Sequence, residues 1–79
     1  MAYPITIYAT LPGKFMGETL QIALGLLRSK AIPVDAAAEL RSGNQHVSTI
    51  LMSTEEARTK AIDVLSGAGF SVKAGSAGI

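Results

Sequence analysis

Few residues of this chain can do chemistry, and their spacing limits what chemistry that is. His46 is the only histidine among 79 residues, and there is no cysteine. Thiol catalysis, disulfides and cysteine-bearing zinc sites are therefore excluded. A histidine base needs a serine and a carboxylate held beside it. No such pattern surrounds His46, which reads as a surface residue at a hairpin end. Asp35, Glu39 and His46 can approach across that hairpin as metal ligands, but solvated charges on an edge strand explain them more simply. Gly13-Lys14 lacks the upstream glycine and the following Ser or Thr of a phosphate loop. Gly67-Ala68-Gly69 follows a helix rather than a strand, so it fails as a dinucleotide fingerprint. The expectation is no catalytic set, no cofactor and no metal. An enzyme using Lys14, Asp35 or His46 is the least favoured of three readings.

One stretch does carry a binding mechanism. Ile5, Ile7 and Ala9 alternate with Thr6, Tyr8 and Thr10, the period of a strand with one apolar face. Pro12 then fixes φ and drives Leu11 into an extended conformation. Gly13 can take backbone angles closed to other residues and lets another group approach. Beyond it the period becomes helical, with Met16, Leu20, Ala23, Leu24 and Leu27 on one face. The free N–H groups of the first turn point back toward Gly13 and offer a seat for a carboxylate or phosphate. A second stripe, Phe15, Ile22 and Leu26, widens the apolar sector beyond one sheet contact. It implies a second surface, either the other helix of the same fold or a partner. Gly17 and Gly25 each cost about 1 kcal/mol in a helix interior, and are tolerated or mark a close approach.

The remaining elements must position that turn. Pro33 ends the first helix. Val34, Ala36, Ala38 and Leu40 alternate with Asp35, Ala37, Glu39 and Arg41, as in a strand with one polar face or an edge strand. The charges discourage random edge pairing, and the alanines permit a chosen partner. Ser42-Gly43-Asn44-Gln45 predicts a hairpin turn. His46 to Met52 returns as a central strand whose faces are ambiguous, Val47, Thr49 and Leu51 against Ser48, Ile50 and Met52; of the two, Ile50 and Met52 are expected to face the helices. Ser53-Thr54-Glu55-Glu56 reads as a capping box, Ser53 accepting from the N–H of Glu56. Ala57, Ala61, Val64, Leu65 and Ala68 line the second helix, with Gly69 favoured as its C-cap. Phe70 and Val72 start a last short strand. The order βαββαβ is α+β, a ferredoxin-like sandwich: a four-stranded antiparallel sheet with two helices on one face. Thr6, Tyr8 and Thr10 then lie on the other face.

Composition bounds the rest. A chain of 79 residues is one domain. The ordered core is expected over 4–73, with a flexible tail over 74–79. So short a chain buries about 60–65% of its unfolded surface and gains from dimerisation. A net charge of +1 argues against nucleic-acid or membrane partners found by electrostatics. The third strand also lacks the aromatics of an RNA-binding platform. With no basic cluster at the start and no apolar run able to span a bilayer, a cytoplasmic location is expected.

The stretch 5–72 resembles the ACT domain, a small regulatory module that binds amino acids. The resemblance rests on Ile5 to Thr10 followed by Pro12-Gly13, on Ala31-Ile32-Pro33-Val34-Asp35, on Ala61 to Leu65, and on Ala68-Gly69-Phe70-Ser71-Val72. Many members carry an Asp two residues before the Pro; this chain has Thr10. What the resemblance implies is a homodimer paired edge to edge through the second strand. The ligand would sit between Leu11, Pro12, Gly13 and Lys14 of one copy and Val34, Asp35, Ala36 and Ala37 of the other. Phe15, Ile22, Leu26 and Glu39 would belong to the dimer interface. A metabolic enzyme regulated in trans is a further implied partner. The alternative is a ligand-free protein–protein assembly module of the same fold.

Overall fold

The computed structural model describes residues 2–75. It runs β1 (Tyr3–Ile7), α1 (Met16–Ser29), β2 (Val34–Ser42), β3 (Gln45–Met52), α2 (Glu55–Gly67) and β4 (Val72–Ala74). The strands form one sheet of order β2-β3-β1-β4, antiparallel at every neighbour. Ile5, Ile7, Ile50 and Met52 share one buried cluster with Met16, Leu20, Ala23 and Leu27 of α1 and Ala57, Ala61 and Leu65 of α2. Both helices therefore cover the same face of the sheet, the ferredoxin-like arrangement. Burying that many aliphatic side chains, at about 1.5–3 kcal/mol each, is what offsets chain entropy in so short a domain.

Ile50 and Met52 face the helices, which settles a strand whose two faces the alternation left ambiguous. The other face is exposed along β2 and covered at its centre. Ala36, Ala38 and Leu40 are exposed, but Thr6 and Val47 are buried. The Thr6 hydroxyl donates to the Gly75 carbonyl at 2.7 Å, and the Gly75 N–H donates to Pro4 O at 2.8 Å. These bonds correct the expected tail: Ala74 closes β4 and Gly75 is tied to β1, while 76–79 lie outside the described residues. Tyr8 falls beyond β1, where its N–H bonds Ser71 O and the Lys73 ammonium lies 5.7 Å from its ring centre.

Three local details differ from the sequence pattern. The α2 cap is Thr54, whose Oγ1 accepts from Ala57 N–H at 3.0 Å. Ser53, expected in that role, instead donates to Asp35 Oδ1, and Glu56 pairs with Lys60 at 3.1 Å. One long-range bond, Ser53 to Asp35, and one i,i+4 pair within α2 thus outcompete the capping box. Next, a bulge between Val34 and Ala36 turns Val34 toward the core and leaves Ala36, Ala38 and Leu40 on the outer face. Last, Phe70 precedes β4 rather than starting it, buried against the core.

Both helices end in the same six-residue cap. At α2, Phe70 N–H bonds Leu65 O and Gly69 N–H bonds Ser66 O, with Gly69 at φ +97°. At α1, Ile32 N–H bonds Leu27 O and Ala31 N–H bonds Arg28 O, with Ala31 at φ +57°. This is the Schellman motif, whose turning residue is ordinarily glycine.

Candidate functional site

The Pro-Gly turn is built as its residues require. Lys14 N–H donates to Leu11 O at 3.0 Å, and Gly13 sits at φ +76°. Proline then glycine at the two central positions is the type II signature. Leu11 N–H donates to Thr19 Oγ1 at 3.0 Å, and that hydroxyl donates to Phe15 O at 3.1 Å. Buried Thr19 thereby pins the turn to the start of α1. Its place on the helix's apolar side gave no hint of this in the sequence. Phe15 occupies the N-cap position, and no side chain caps the helix. Nothing approaches within 4 Å of a side chain placed at Gly13, so the turn is open on that side.

Beside it stands a small polar group. Glu39 Oε1 and His46 Nε2 are paired, both partly exposed. The other carboxylate oxygen of Glu39 lies 3.2 Å from where a Gly17 Cβ would be, and the Phe15 ring lies 3.1 Å from the same point. Gly17 is thus the close approach that Gly25 is not, since nothing lies within 4 Å of a Gly25 Cβ. A carboxylate beside the first turn also suits the helix dipole. Asp35 is not part of this group, and no cluster of three metal-ligating side chains occurs among the described residues.

The strand half of the site is a cleft of about 490 Å³ between the end of α1 and β2. Leu24, Ile32 and Val34 supply apolar walls, while Arg28 and Asp35 supply opposite charges beside Ala36 and Ala37. All four residues named for β2 line it. Arg28 was not singled out from the sequence, where it reads only as a favourable cation in the last turn.

Within one copy the two halves are apart. Ile7, before the turn, pairs with Ser48, whereas Val34 pairs with Met52 opposite Tyr3. Leu11, Pro12, Gly13 and Lys14 therefore lie at one end of the sheet and Val34, Asp35, Ala36 and Ala37 at the other. Of the interface residues, Phe15 is 65% exposed and Ile22 43%, while Leu26 packs partly against the core. The chain matches no family model, no curated protein and no solved structure.

Proposed function

We propose that this chain is a regulatory small-molecule-binding module that senses an amino acid at the interface of a homodimer. The observation that carries the reading is the α1–β2 cleft. A guanidinium and a carboxylate stand at one apolar cleft, complementary to the carboxylate and ammonium of a free α-amino acid. A few placed polar groups over apolar walls are the usual make-up of a small-ligand site. The open Pro-Gly turn, with backbone donors beside it, supplies the second half from a neighbouring copy. In this reading the protein performs no turnover, and its output is a change in pairing or in the fit to a regulated metabolic enzyme.

Ligand that binds only the folded state raises its stability by mass action. A thermal-shift panel of the common amino acids, in excess of 1 mM, should single out one or a few. Arg28→Ala should abolish the shift without lowering the melting temperature of the free protein by more than a degree or two, since Arg28 is exposed. No shift with any amino acid would count against the reading. A second reading, a ligand-free assembly module, draws on the exposure of Phe15, Ile22 and Leu40. It predicts a silent panel and a specific protein partner.

A further inference from the structure

We propose that the sheet face opposite the helices seats the four residues that follow Gly75, and that Ile79 fills the apolar groove between β2 and β3 on that face. The proposal is independent of the amino-acid reading.

That face is buried at its centre although no described element lies over it. Both helices pack on the side of Ile5, Ile7, Ile50 and Met52. Side chains alternate along a strand, so Thr6, Val47, Thr49 and Leu51 point the other way. Thr6 and Val47 are nevertheless buried, and Val47 stands outside the core cluster. The Thr49 hydroxyl is closed to solvent and has no hydrogen-bond partner among the described residues. A hydroxyl so placed has lost its water without replacement. A backbone group arriving above the sheet would satisfy it.

Gly75 shows where such a cover comes from. Its N–H donates to Pro4 O, as a continuation of β4 would. Pro4 has no N–H to return, so the Gly75 carbonyl lacks its ladder partner. It accepts instead from the Thr6 hydroxyl at 2.7 Å, which stands on the outer face. A strand that ran on would keep its carbonyls in the plane of the sheet. Here the carbonyl is lifted out of that plane, with Gly75 at φ +108°, an angle that glycine takes freely. The chain thus leaves β4 on the outer side.

Reach and composition fit the groove. Gly75 stands beside Pro4, Pro4 pairs with Leu51, and Leu51 pairs with Ala36, one row straight across the sheet. Neighbouring strands lie about 4.8 Å apart, so Leu51 is about 10 Å from Gly75 and Ala36 about 14 Å. Four residues span at most about 13–14 Å, which brings Ile79 over the seam of β3 and β2. There Ala36, Ala38, Leu40, Thr49 and Leu51 line a groove of about 220 Å³ whose only polar side chain is Thr49. Ser76, Ala77 and Gly78 are small enough to cross β1 closely, and Ile79 is the one bulky side chain of the four. The crossing backbone passes Thr49 and offers the partner that its hydroxyl lacks.

Nuclear Overhauser spectra of the full chain test this directly. The Ile79 methyls should show cross-peaks to the methyls of Ala36, Ala38 and Leu51. A mixture of labelled and unlabelled chains should place those cross-peaks within one chain. Cross-peaks found only between chains would put a second copy in the groove and overturn the proposal. So would an Ile79 with unfolded-chain shifts and no long-range cross-peak. A mutant cycle adds the energetic side. Ile79→Asp should lower the melting temperature by about 4–8 °C, whereas Ile79→Leu should keep most of it. Ala38 is exposed, so Ala38→Arg fills the groove without disturbing the core. In that background Ile79→Asp should change the melting temperature little, because the two sites are coupled. Equal losses in both backgrounds would overturn the contact.

Discussion

The least comfortable residue of the chain is Ala31. It turns the chain at φ +57° after α1, where Gly69 performs the same turn after α2. A side chain in the left-handed region costs about 1–2 kcal/mol. Ala31→Gly recovers part of that and loses some to the freer unfolded chain. The expected net is a stabilisation of about 0.5–1 kcal/mol, read as a higher urea midpoint with an unchanged slope. The two helix glycines separate in the same way. Gly25→Ala meets nothing within 4 Å and should gain close to the full propensity difference of about 1 kcal/mol. Gly17→Ala must move the Phe15 ring and the Glu39 carboxylate, so its gain should be smaller, or reversed once two copies pack there. Equal gains at both positions would mean that the Phe15–Gly17 contact has no energetic content. The sequence marked both glycines alike, because a helix pattern records propensity and not what leans on a missing Cβ.

At the scale of elements, periodicity carried most of the reading. Met16, Leu20, Ala23 and Leu27 repeat at helical spacing and are buried; Ile5 and Ile7 alternate and are buried. Those signals are local, so one sequence suffices to read them. The misreadings were non-local. Ser53 satisfies the capping-box pattern, yet Asp35, 18 residues away, takes its hydroxyl. Thr54 caps in its place. Thr54→Ala should therefore cost about 1 kcal/mol of stability in denaturant titration. Ser53→Ala should cost less, because its exposed bond to Asp35 is solvent-competed. The reverse order would restore the capping box. The bulge at Val34/Ala36 was likewise silent in the sequence, and one extra residue moved Val34 from the alanine row to the core. Arg28 was missed because its significance comes from Asp35, which only the packing of α1 against β2 brings to the same cleft.

The whole molecule is a small sandwich with an unfinished edge. Its helices and sheet close one core, and among the described residues no helix is long and apolar enough to cross a membrane. What the fold leaves open is concentrated along β2 and the start of α1: the free outer edge of a strand paired only with β3, exposed Phe15 and Ile22, and a cleft with two opposite charges. In the proposed homodimer a second copy would cover the first two and complete the third. Isothermal titration calorimetry of the amino acid selected by the thermal panel tests this account most directly. The prediction is saturable heat at one ligand per chain, hence two per pair, lost in Arg28→Ala and weakened at chain concentrations low enough to separate the copies. Absence of heat for every amino acid, or binding that is undiminished when the copies are held apart, would contradict it.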